Sequence, residues 1–163
     1  DPNQWTGESK VEWRYEPNFR NGEYKAPSKH PLLIAAEKGS PEVMQLLVDA
    51  GARTDVRMPD GTTVLHMAVS TGQLAPVEKA LAIGIDANVV DKGGRTALHR
   101  AVRLRPNFGF QTPQIITALA KHGARADLRD ERGKTAADLI EDRATDAVHD
   151  AFAAAFGTRT AQR

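Results

Sequence analysis

Apolar residues in this chain recur in short runs at three- and four-residue spacing. Val43, Leu46 and Leu47 form one run, and Ile115, Ile116 and Leu119 form another. That spacing gathers side chains on one face of a helix. Polar punctuation brackets the runs. Ser40-Pro41 and Thr112-Pro113 announce helix starts, and each proline stands ten residues before a glycine, Gly51 or Gly123. With Gly84, these glycines suit the left-handed C′ position that closes a helix. Thr63, Thr96 and Thr135 stand where an N-cap hydroxyl takes a free backbone N–H. His30 occupies the same place ahead of Pro31, a residue suited to the first helical position. Each stretch therefore reads as helix, tight turn, helix, long loop.

The landmarks keep a period. Gly51 to Gly84, Gly61 to Gly94, Thr63 to Thr96 and Gly39 to Gly72 are all 33 residues apart. Gly84 to Gly123, Gly94 to Gly133 and Thr96 to Thr135 are all 39 apart. One repeat with a single shared six-residue insertion accounts for every interval, and a period of this length marks a stacked-repeat architecture.

Within that period, Thr63-Val64-Leu65-His66-Met67-Ala68, Thr96-Ala97-Leu98-His99-Arg100-Ala101 and Gly133-Lys134-Thr135-Ala136-Ala137-Asp138-Leu139 resemble the ankyrin repeat. So do Leu46-Leu47-Val48-Asp49-Ala50-Gly51-Ala52 and Leu119-Ala120-Lys121-His122-Gly123-Ala124. The resemblance spans about residues 29–157. It implies a mainly α fold: an ankyrin-repeat α-solenoid of helix-turn-helix units with β-hairpin finger loops, plus a non-repeat N-terminal arm. The implied division is an arm or cap at 1–28, repeats at 29–61, 62–94 and 95–133 with an insertion at 104–111, a capping repeat at 134–157, and a tail at 158–163. The family uses the histidine at the His66 and His99 position to lock neighbouring loops. Here the first unit has Leu33 at that position and the last has Asp138. Thr63, Thr96, Thr135, Gly51, Gly84 and Gly123 complete the structural signature.

Composition fits such a stack. There are 25 alanines, which let helices approach closely, and no cysteine, which excludes disulfides, thiolate metal sites and a cysteine nucleophile. No apolar run is long enough to cross a membrane. The net charge of +1 conceals unevenness: residues 30–91 carry −4 and residues 92–134 carry +7. Five of the nine aromatic residues lie in the first 29 positions.

No phosphate loop, nucleophile elbow, paired carboxylate or histidine pair at ligand spacing stands out. No catalytic residue, metal or cofactor is therefore expected. Three features rise above the scaffold. The first is a set of cations at positions that the family places on its concave partner face: Arg57, Lys92, Arg95, Arg103, Arg129, Arg132 and Lys134. Arginine forks there suit carboxylates. The second is the insertion, whose Phe108 and Phe110 either tuck against neighbouring helices or anchor a partner. The third is the arm, where Val11-Glu12-Trp13-Arg14-Tyr15 alternates as a strand does. Its Trp13 and Tyr15 cap repeat 1 or close on a partner.

These features lead to a non-enzymatic protein-binding module, monomeric when free, whose basic face and insertion meet an acidic surface. The expected role is a stand-alone inhibitor or immunity-type protein acting on an enzyme or toxin. A scaffold, or a binder of nucleic acid or an anionic glycan, is the alternative, and the near-zero net charge argues against polyanions. An excess of 14 arginines over 8 lysines, with the abundant alanine, suggests a bacterial source. A start at Asp1 without methionine fits an exported mature chain, with a cytoplasmic location as the alternative.

Overall fold

A computed structural model describes residues 2–3, 29–104, 110–140 and 144–157. Trp13, Tyr15, Phe108 and the tail lie outside the described residues. Seven α-helices follow one another: α1 Pro31–Glu37, α2 Pro41–Asp49, α3 Val64–Ser70, α4 Leu74–Ala82, α5 Ala97–Ala101, α6 Thr112–Lys121 and α7 Asp146–Phe156. They pair as α1 with α2, α3 with α4, and α5 with α6. The pairs stack, so α1, α3 and α5 form one row and α2, α4, α6 and α7 form a second.

The caps explain where the helices begin and end. Thr63 and Thr96 are N-caps whose hydroxyls accept from the backbone N–H of His66 and His99. His30 caps α1 through its ring, with Pro31 in the first turn. Gly51, Gly84 and Gly123 follow α2, α4 and α6 with φ of 87°, 87° and 79°. Each closes with the paired bonds of a Schellman motif, as in Ala52 N to Leu47 O and Gly51 N to Val48 O. Thr112 is helical, however, and Gln111 is the cap of α6. In the fourth unit the first helix shrinks to a 3₁₀ turn, Ala137–Leu139.

Position by position, the repeat builds the core. Leu32, Leu65 and Leu98 share one position and are each at most 1% exposed. Burial of such a side chain contributes about 1.5–3 kcal/mol. Ala35, Ala68 and Ala101 share another, buried position. Small side chains there let α1, α3 and α5 approach, which is the physical use of the alanine surplus. At the far end Phe152 and Phe156 of α7 pack ring to ring with centroids 4.9 Å apart.

The long loops differ from the expected β-hairpins. Among the described residues they carry only isolated antiparallel bridges, Arg57 with Thr63 and Arg129 with Thr135. The middle loop closes with one bond of the same kind, Asp91 N to Arg95 O at 3.0 Å. Each finger is a turn with a single rung, too short to register as strand.

Candidate functional site

The fingers are held to the helices and to each other by a repeated set of bonds. In His66, Nδ1 accepts from the Thr63 hydroxyl at 2.8 Å and from its N–H at 3.3 Å. Nδ1 being an acceptor, the proton sits on Nε2, which donates to the Arg95 carbonyl of the next finger at 2.9 Å. His99 repeats the arrangement from Thr96 to the Lys134 carbonyl, at 3.1 Å. Burial pushes the His66 ring down to about 4, against the opposing effect of its bond to Arg95. Asp138 replaces the ring in the fourth unit. Its Oδ2 accepts from the Thr135 N–H and hydroxyl, both at 2.9 Å. A carboxylate serves there because only the capping half of the histidine's role is used.

Successive fingers are also joined directly. Lys92 N donates to Asp60 O at 2.9 Å, and Glu131 N donates to Gly93 O at 3.0 Å. These bonds put Arg57, Lys92, Arg95, Arg129, Arg132 and Lys134 along one edge of the stack. Of these, Arg57, Lys92, Arg129, Arg132 and Lys134 are exposed; within the turns closed by the rungs the exposed carboxylates are Asp60 and Glu131, while exposed Asp55 and Asp127 lie just outside them, paired with Arg53 and Arg125. The edge is therefore net basic where solvent reaches it.

The cations are not equivalent, however. Arg57 Nη1 donates to the Val90 carbonyl at 2.9 Å, and Arg129 Nη1 to the Gly133 carbonyl at 2.7 Å. Each keeps other guanidinium donors. Arg95 is committed: Nε and Nη2 grip Asp91 Oδ2 at 2.9 and 2.8 Å. Both donors converge on one carboxylate oxygen, which takes the Nε–Nη2 edge of the guanidinium. Arg95 thus helps to hold the finger turn, and its side chain stays 43% exposed.

Asp91 is the residue that the sequence did not single out. Its side chain is 1% exposed. Oδ1 accepts from Gly93 N at 2.8 Å and Arg95 N at 3.1 Å, which shapes the finger turn. Arg100 Nη2 approaches Oδ2 to 3.8 Å, while Arg100 Nη1 donates to Ser70 Oγ on α3 at 3.1 Å. Burial by itself raises the Asp91 carboxyl, but bonds from the Arg95 side chain, the Arg95 N–H and the Gly93 N–H outweigh it and hold the group below the usual range. No sequence signal separates Asp91 from Asp130, which holds the same repeat position without a buried arginine pair.

The insertion is placed elsewhere. Arg103 follows α5 at the end away from the finger, and is exposed. Phe110 leads into α6 and is half-buried over Gly72, where a Cβ would come within 2.5 Å of its ring. Gln111 N donates to Gly72 O at 2.8 Å, and Gln111 Oε1 accepts from Leu74 N at 2.8 Å. The described end of the insertion therefore docks on the α3–α4 turn. The basic fingers and the described ends of the insertion, Leu104 and Phe110-Gln111, thus lie towards opposite ends of α5. A prediction follows for the joint. Gly72 has φ of 70°, so Gly72→Ala combines a left-handed backbone with an aromatic clash. We expect a loss of about 2 kcal/mol or more in urea unfolding. Adding Phe110→Ala should recover the clash but not the backbone cost.

Among the described residues no group of three or more histidine, cysteine or carboxylate side chains is arranged to hold a metal. No described helix is long and apolar enough to cross a membrane.

The ankyrin-repeat family model, described as "Ankyrin repeats (3 copies)", matches residues 32–130. The chain belongs to the ankyrin-repeat family, whose repeats are protein–protein interaction modules. It is 31% identical over 110 residues to the E3 ubiquitin-protein ligase KEG of Arabidopsis thaliana, covering 68% of this chain and 7% of that protein. It is 32% identical over 101 residues to the putative ankyrin repeat protein FPV031 of Fowlpox virus, covering 61% of this chain and 28% of that one. The ankyrin repeat and SOCS box protein 11 of Danio rerio is 31% identical over 112 residues, covering 69% of this chain and 36% of its own length. The chain thus spans about a third or less of these relatives. They come from a plant, a virus and a fish, and lend no support to the bacterial source suggested by composition.

Proposed function

We propose that the stack binds an acidic surface of another protein through the finger edge, with Lys92, Arg129, Arg132 and Lys134 as the contacting cations and Arg57 at its margin. The observation that supports this reading is the net-basic edge just described. Its fingers are cross-braced by His66 and His99, and Asp91 ties the turn of its own finger, so the cations are presented from a stiff frame. Pre-organisation of that kind reduces the cost of binding. Arg103 extends the charge to the other end of α5. Occlusion of the partner, and so inhibition if it is an enzyme, is the output this reading expects.

Immobilised chain should retain a partner from an extract of its source cells, and Lys92→Glu/Arg132→Glu/Lys134→Glu should weaken that partner at least about tenfold, since rim charges of this kind are each worth up to about 1 kcal/mol. Val43→Ser/Leu46→Ser on α2 should leave it bound. Retention by the charge-reversed chain together with loss by the α2 variant contradicts the reading. A partner that is a nucleic acid or glycan, released steeply by salt, contradicts it as well. Stoichiometric chain should lower the turnover of an enzymatic partner, and unchanged turnover removes the inhibitory role.

A further inference from the structure

Among the described residues, the row of second helices ends at α2 with an exposed side. In α4 and α6 the positions that look back along the row are covered: Pro76 is buried, Ile115 is 0% exposed and Ala118 is 9% exposed. Lys79 reaches back from α4, donating from Nζ to Gln45 Oε1 of α2 at 3.1 Å. One period earlier the equivalent residues are Val43 and Leu46, which are 46% and 67% exposed. The positions filled by buried Ile115 and Ala118 in α6, and by buried Pro76 and half-buried Lys79 in α4, thus carry an apolar pair turned outward in α2.

Asn3 sits at the same end. Its Nδ2 donates to Gly51 O at 3.0 Å and its Oδ1 accepts from Arg53 N at 2.6 Å. Within the stack Asn88 makes the same two bonds, to Gly123 O at 2.9 Å and from Arg125 N at 2.8 Å. Asn88 lies in the loop that closes the α3–α4 unit, and its amide clasps the loop that closes α6, the next helix in the row. On the end of α2, Asn3 therefore makes the contact that a preceding unit makes on the end of α6. The sequence agrees: Asp1-Pro2-Asn3 matches Asp86-Ala87-Asn88 at two of three positions. Residues 4–29 then stand between Asn3 and the N-cap His30 where residues 89–95 stand between Asn88 and the N-cap Thr96.

We propose that the outward side of α2 is a stacking surface for a further helix pair of the same class, with Pro2-Asn3 as that pair's closing loop. The occupant is fixed by two independent features, the repeat-equivalent apolar positions and the repeat-equivalent asparagine clasp.

The test appends a copy of residues 61–85, which carries α3 and α4, directly ahead of Asp1. The junction then reads glycine, isoleucine, Asp1, Pro2, Asn3, as Gly84-Ile85-Asp86-Ala87-Asn88 does. The fused chain should melt as one cooperative unit several degrees above the original, with a steeper urea dependence from its added buried surface. Leu46→Glu or Asn3→Ala should remove the gain in the fused chain, while Leu46→Glu leaves the original chain unchanged. Two extra glycines at the junction should also abolish the gain. An unchanged midpoint on fusion overturns the proposal, as does a gain that survives the extra glycines. Equal destabilisation of both chains by Leu46→Glu shows the face already covered by residues 4–28, and overturns it too. So does a dimer of the original chain in sedimentation that Leu46→Glu dissociates.

Discussion

His66→Ala is expected to lower unfolding stability by about 3–4 kcal/mol at neutral pH. The ring is 1% exposed and makes three bonds, two within the Thr63 cap and one to the Arg95 carbonyl of the next finger. Its removal leaves the Thr63 N–H without its acceptor, a cost of about 1–3 kcal/mol. A cavity of imidazole size adds about as much again. Because each repeat leans on its neighbours, the loss spreads to both flanking units. His122→Ala, at the exposed end of α6, should change stability by less than about 0.5 kcal/mol. A His66→Ala cost below about 1 kcal/mol in urea titration rules out the lock.

Acid should act through the same ring. Folding holds it at about 4 through burial, whereas the unfolded chain protonates it near about 6.5. Its neutral form is therefore favoured in the fold, so its contribution is complete above pH ~6.5 and drains away as pH falls towards ~4. The full loss is about 3 kcal/mol. In His66→Ala this share of the slope between pH ~6.5 and ~4 disappears. A slope that persists undiminished locates the acid sensitivity elsewhere.

Asp91→Ala should cost about 3 kcal/mol. The carboxylate shapes the finger turn, fixes the Arg95 fork and stands within 3.8 Å of Arg100. Removing one member of a buried charged group is costly because the others stay behind. Arg95 is 43% exposed and rehydrates, but the Arg100 side chain is only 26% exposed. The cost should fall when Arg100→Ala is already present, and equal cost in both backgrounds contradicts the network. Asp91 is held below the usual carboxylate range, so its contribution is present above pH ~4 and is lost as pH falls through the folded value. This loss lies below the window of His66.

The sequence made the frame legible because caps are local. A threonine before an apolar run, or a glycine after one, states its role within four residues, and Thr63, Thr96, Gly51, Gly84 and Gly123 fold accordingly. The finger cations were legible as charge but not as availability. Whether an arginine is free depends on which carboxylate folds against it, and nothing in the string distinguishes Arg95, gripped by Asp91, from Arg132. Arg100 stands at the repeat position of Ile34 and Met67, so only the third dimension shows it crossing to Ser70. The insertion read as a companion to the fingers because both were basic. Direction along a five-residue helix, not composition, separates them.

The most direct test of the finger edge as the partner face is amide hydrogen exchange of the chain with and without its captured partner. Protection is expected at residues 91–95 and 129–134, with α2 and α4 unchanged. Protection confined to the second-helix row, with the fingers exchanging as in the free chain, contradicts the account.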